Sequence, residues 1–205
     1  MDGTNFVVNK EQLVVETSRV FKATPERLWK AHTDPEQIPK WWGPGDLSTV
    51  IEKNEVQVDG AWRYVQTAPD GSVHSFHGNY KEVDEPHKLV RTFEYEPMAG
   101  HILIETVTFE ALDDDTTKMT AQARYDNLED LDGMVGMGME RGQRESFDRL
   151  AVLVGQGELH LGVGRELRQV DEVRPGARLL VPLVGGEIDF DLLVAAYHDD
   201  VFDDA

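Results

Sequence analysis

Residues 23–44 read ATPERLWKAHTDPEQIPKWWGP, two helix-start signals in succession closed by a Gly-Pro stop. Thr24 is suited to the N-cap, Pro25 to the first helical position and Glu26 to the positive end of the helix. This predicts a short helix over 25–33, with Leu28, Trp29 and His32 at helical spacing. Asp34-Pro35-Glu36 repeats the signal and opens a second short helix. That helix stops at Trp41-Trp42-Gly43-Pro44, because proline cannot continue it and glycine suits its C-terminal side.

Upstream, residues 13–22 (LVVETSRVFK) are β-branched and alternating enough for a strand. Downstream, strand-like runs fall at about 47–56, 60–68, 72–83, 88–96, 101–111 and 116–125. Between them lie turn signals such as Asp59-Gly60, Pro69-Asp70-Gly71 and Asp113-Asp114-Asp115. Glycine takes the positive φ that tight turns demand, and short separations favour antiparallel neighbours. A long helical pattern over 129–154 follows, marked by Met134, Met137, Phe147, Leu150 and Leu153. The expected fold is α+β: a curved antiparallel sheet of about seven strands around a long C-terminal helix, with two short helices after the first strand.

Composition narrows the function. The 205 residues carry 20 basic and 39 acidic side chains, a net charge of −19. Such a field repels phosphates and argues against nucleic-acid binding and docking on anionic membranes. The chain has no cysteine, which removes disulfides, thiolate zinc sites and cysteine nucleophiles and fits the reducing cytoplasm. The opening residues show no secretory leader, and no apolar stretch approaches the ~20 residues of a spanning helix.

The charge is unevenly spread. All eight lysines lie between Lys10 and Lys118, and residues 156–205 hold 11 acids against 4 arginines. Glycines 155, 157, 162 and 164 interrupt any helix there, so a domain over 11–155 and an acidic extension over 156–205 are expected. Within the extension, Arg174-Pro175-Gly176 suggests a hairpin, followed by a short helix over 187–198 and a disordered acidic end. So short a segment should pack on the main domain or on a second copy, which makes a homodimer one expected state.

Taken together, the run Arg19-Val20-Phe21…Ala23…Pro25-Glu26…Trp29…Ala31…Thr33-Asp34-Pro35-Glu36…Trp41-Trp42-Gly43-Pro44 resembles the START-like, helix-grip (SRPBCC) superfamily. Within it the chain is similar to the family named after the C-terminal domain of the activator of heat-shock-protein-90 ATPase. Gly60-Ala61-Trp62-Arg63, Phe76…Gly78…Tyr80 and Gly138-Met139-Glu140…Gly142…Glu145-Ser146 extend the resemblance over about 11–155. One departure is Asp59-Gly60, where relatives usually show a glycine pair. The resemblance implies a deep, mostly apolar cavity between sheet and long helix. Superfamily members bind lipids, hormones or polyketides there, and a minority catalyse cyclisation or hydration. A versatile scaffold transfers fold better than function.

An apolar pocket would be lined by aromatic side chains, and the candidates are Trp41, Trp42, Trp62, Tyr64, Phe76, Tyr80, Phe93 and Phe109. The same side chains also serve as ordinary core. Alternation puts Trp62 with Tyr64, and Phe76 with Gly78 and Tyr80, on common strand faces. Met134 and Met137 sit among glycines, where flexible thioethers and weak helix suit a gate at the cavity mouth. His74 and His77, three apart on a strand, point to opposite faces, so no metal site is read there. One of them, or Arg91, is the candidate polar anchor, and Glu105 with Arg91 reads as a cross-strand ion pair. Residues 126–133 (DNLEDLDG) fail the calcium-loop register, and neither a dinucleotide fingerprint nor a nucleophile elbow is present. The reading is a non-catalytic module for a small apolar molecule, without cofactor. The alternatives are a chaperone-associated or stress-response interaction domain, and an enzyme of the cyclase or hydratase kind.

Overall fold

A computed structural model describes residues 3–155 of the chain; the hairpin, helix and acidic end expected over 156–205 lie outside the described residues. The strands are β1 (Asn5–Asn9), β2 (Val14–Phe21), β3 (Ser48–Asn54), β4 (Ala61–Thr67), β5 (Val73–Asp84), β6 (Lys88–Tyr95), β7 (Ile102–Ala111) and β8 (Thr117–Arg124). They form one antiparallel sheet of eight strands in the order β1-β2-β8-β7-β6-β5-β4-β3. The helices are α1 (Pro25–Thr33), α2 (Leu128–Gly136) and α3 (Met139–Gly155). The class is the expected helix-grip α+β, and each expected strand is present.

Beyond the expected set lies β1. Its sequence, NFVVN, is short and ends in asparagine on both sides, so it carries little strand signal by itself. Pairing makes it a strand: Phe6 and Val8 stand opposite Thr17 and Val15 of β2 and pack on the core.

Helix α1 starts where the capping residues dictate. Thr24 Oγ1 accepts from Arg27 N at 3.4 Å, and Leu28, Trp29 and Ala31 form the buried face. The second expected helix is only a 3-10 turn, Ile38–Lys40. Prolines 35 and 39 remove two backbone donors within five residues, which prevents a sustained α ladder.

The expected long helix is broken. Residue Gly138 adopts φ +93°, a left-handed conformation that only glycine takes at little cost, and it separates α2 from α3. Asn127 caps α2 by accepting from Asp130 N at 2.9 Å. The side chains expected to fail as a calcium loop are thus a helix cap, a 2.6 Å contact of Asp130 with His101 Nδ1, and an ion pair of Asp132 with Lys10. Helix α3 buries Ser146, Phe147, Leu150 and Val154 against the sheet. Its last carbonyls are held by Arg27, which donates from Nε to Val154 O at 2.6 Å and from Nη2 to Leu153 O at 3.0 Å. No helix among the described residues is long and apolar enough to cross a membrane.

Candidate functional site

Period-2 alternation aims one row of side chains from each central strand at the helices. The row comprises Tyr64 and Gln66 on β4, His74 and Phe76 on β5, and Arg91, Phe93 and Tyr95 on β6. It continues with Leu103, Glu105 and Val107 on β7 and Met119, Ala121 and Ala123 on β8. Cross-strand register brings these together as Phe76 with Tyr95, Phe93 with Leu103, Arg91 with Glu105 and Val107 with Ala121.

Between this row and the helices lies a cavity of about 410 Å³. Trp41, Trp42, Gly43, Pro44 and Leu47 close one side. Met134, Met137, Gly138, Met139, Gln143, Ser146 and Phe147 close the other. The loop carrying Trp42 is pinned to α3 by Arg149, which donates to Gly43 O at 3.0 Å and to Pro44 O at 3.3 Å. The Trp42 ring stands edge-on to Tyr64 and to Phe76, each at 5.2 Å, so three aromatic rings meet at one corner. Met137 is 60% exposed and forms part of the rim.

Of the aromatic and methionine candidates, Trp41, Trp42, Phe76, Phe93, Met134 and Met137 reach the cavity wall. Tyr64 lines a small recess that shares His32, Trp41, Trp42, Arg91, Glu105 and Val107 with the main cavity. Trp62, Tyr80 and Phe109 do not reach the wall, although they lie on the inward face. Trp62 is 1% exposed and donates to Thr92 O at 3.1 Å. A Cβ on Gly78 would stand 1.9 Å from that same carbonyl oxygen, so the bare glycine permits the close approach. Tyr80 and Tyr64 both donate to Asn54 Oδ1, at 2.7 and 3.0 Å, while Asn54 Nδ2 donates to Thr33 O at 2.8 Å. Phe109 is covered by α1, edge-on to Trp29 and His32. Helix α1 therefore fills one end of the concave face, and the cavity is what remains.

The polar groups of the wall are mostly engaged. Arg91 Nε donates to Glu105 Oε2 at 2.5 Å, and its guanidinium lies 4.3 Å over the Trp62 ring. Burial works against the Arg91 charge, but Glu105 more than compensates and holds it firmly protonated. Burial pushes the Tyr64 hydroxyl up despite the opposing pull of Arg91, so it stays neutral. His74 pairs with the Tyr95 hydroxyl at 2.7 Å, whereas His77 lies 3.3 Å from Glu94 and does not line the cavity. The two histidines thus diverge as strand geometry requires.

His32 is one of the wall residues that sequence reasoning passed over. Its Nδ1 lies 2.8 Å from Leu28 O, and its ring packs 4.5 Å from Trp41 and 5.0 Å from Phe109. Burial pushes its pKa down to about 4, the hydrogen bond to Leu28 resists, and Arg91 adds to the lowering. The available signal was helical spacing: His32 shares a face with Leu28 and Trp29.

Among solved structures the chain is similar to protein Ms6760 from Mycobacterium smegmatis, 23% identical over 75% of this chain and 98% of that one, TM-score 0.68. A protein from Arthrobacter aurescens is 25% identical over 79% of this chain and 98% of its own, TM-score 0.69. Another from Rhodobacter sphaeroides is 24% identical over 74% and 98%, TM-score 0.68. No curated protein matches. The family model described as activator of Hsp90 ATPase homolog 1-like protein matches residues 22–155, which include the cavity wall on both sides. The chain belongs to the activator of Hsp90 ATPase homolog 1-like family.

Proposed function

We propose that residues 11–155 form a binding module for a small, largely apolar molecule held between the sheet and α3, with residues 156–205 a separate extension. One observation carries this reading: a cavity of about 410 Å³ walled by Trp41, Trp42, Phe76, Phe93, Met134 and Met137. A concave space of this size lined by aromatics, with a few polar groups, suits a small guest.

The polar wall supports binding over catalysis. Arg91 and Glu105 neutralise each other, and an imidazole held near pKa 4 is too weak a base for efficient proton abstraction near neutral pH.

Native mass spectrometry of the full chain, purified without detergent, tests the proposal and reports the oligomeric state in the same spectrum. A co-purifying mass is expected. Ala121 lines the cavity from β8, and Ala121→Phe should fill space and release that mass while the far-ultraviolet circular dichroism is kept. Retention of the guest by a folded Ala121→Phe protein would place it elsewhere.

A further inference from the structure

One nitrogen of the cavity wall is left with a lone pair to offer a guest, Nε2 of His32. A carbonyl oxygen can only accept, so the 2.8 Å contact between His32 Nδ1 and Leu28 O puts a proton on Nδ1. In the neutral ring Nε2 then carries the lone pair. Trp41 on one side and Phe109 on another hold the ring in that orientation. No hydrogen bond to Nε2 comes from any of the described residues. Every fully buried side-chain nitrogen and oxygen among them has a partner, so Nε2 is not fully buried, and His32 lines the cavity. The ring stays neutral at ordinary pH because burial opposes its charge.

Most of the neighbouring polar groups have a partner within the protein, His74 Nδ1 with the Tyr95 hydroxyl at 2.7 Å among them. Glu105 holds Arg91 at 2.5 Å, so the pair adds no net charge to the wall. Gln66 Nε2 donates to Thr49 Oγ1 at 3.1 Å, and Ser146 Oγ donates to Gly142 O at 2.8 Å. Gln143, on the early turns of α3, is an amide that donates and accepts alike and selects no charge. A carboxylate placed here would face the lone pair of His32 and the charge of Glu105, and would lose its water without a free cation in return.

We propose that the cavity takes an uncharged, largely apolar molecule whose hydroxyl or N–H group donates to His32 Nε2, and that it rejects a carboxylate carried on the same apolar body. The inference rests on the cavity being a ligand site.

The test uses three probes of one two-ring body at pH 7: 2-naphthol, 2-methoxynaphthalene and 2-naphthoate. Each is titrated into the isotope-labelled full chain and followed by amide chemical shifts. 2-Naphthol should bind at least about tenfold more tightly than either of the others, a difference of about 1.4 kcal/mol. In His32→Phe, 2-naphthol should fall to the level of 2-methoxynaphthalene; if that variant does not fold, the wild-type series decides alone. Equal or tighter binding of 2-naphthoate overturns the inference and leaves the binding module standing. A 2-naphthol preference that survives in folded His32→Phe overturns it too. Failure of all three probes to shift any resonance of the cavity wall counts against the binding module itself, and the inference falls with it.

Discussion

Arg91 and Glu105 stand directly opposite each other on β6 and β7, 2.5 Å apart, with side chains 13% and 16% exposed. Both belong to the cavity wall, where water screens them poorly. Removing one member of such a pair strands the other charge, which costs about 3–5 kcal/mol, whereas replacing both with apolar groups costs much less. Arg91→Met and Glu105→Leu should therefore each lower the urea midpoint sharply, and the double variant should recover at least about 2 kcal/mol of their summed loss. Additive losses would mean that the pair is effectively screened.

His32 gives stability a pH dependence of predictable sign. Its folded pKa of about 4 lies below the ordinary value of 6.5, so between these limits the unfolded chain binds more protons than the folded one. Stability from this group is complete above pH 6.5, falls as the pH drops, and is lost by about pH 4. The whole effect is at most about 3 kcal/mol. His32→Phe, whatever its stability at pH 7, should show a flatter urea midpoint between pH 6.5 and 4. An unchanged slope would mean that the imidazole becomes protonated in the folded protein as readily as in water.

Much of this site was legible as alternation. Once β7 is a strand with Val107 inward, Glu105 and Leu103 must also face inward, and antiparallel pairing sets Glu105 opposite Arg91. Alternation fixes the face but not the occupant of that face. Trp62, Tyr80 and Phe109 point the same way as Phe76 and Phe93, yet α1 and the Asn54 hydrogen bonds consume their end of the sheet. Only the three-dimensional placement of α1 separates core from wall. Strand β1 was illegible for a related reason, since its stability comes from pairing with β2 and from packing Phe6 and Val8, not from its own five residues.

The Asp59-Gly60 turn carries a small built-in cost. Asp59 has φ +62°, the left-handed region, where a side chain costs up to about 1 kcal/mol more than glycine. Asp59→Gly should raise stability by about 0.5 kcal/mol after allowing for the greater freedom of the unfolded chain. The following residue behaves oppositely. A Cβ on Gly60 would stand 2.0 Å from Glu55 O, a backbone atom, so Gly60→Ala should destabilise by about 2 kcal/mol or more. Chemical denaturation of the two variants checks both signs. A stabilised Gly60→Ala would show that the turn can rearrange.

Glycines also cluster beside the cavity mouth, at positions 133, 136, 138 and 142. A side chain on Gly133 or Gly136 would meet nothing within 4 Å, so neither residue is required by packing; each weakens α2 relative to alanine by about 1 kcal/mol. Gly138, at φ +93°, is different: alanine there would strain the break between α2 and α3 by about 1 kcal/mol. Met134, Met137 and Met139 line the cavity beside these glycines, and a gate over residues 133–142 requires that segment to open locally. Native-state hydrogen exchange should find amides 133–142 exchanging at least about tenfold faster than 145–153, where Phe147 and Leu150 are buried. Gly133→Ala should slow exchange in 133–142 and leave 145–153 unchanged, whereas Gly138→Ala should accelerate it. Equal protection of the two segments in the unaltered protein would rule out the gate, because no local opening cheaper than global unfolding would then exist there.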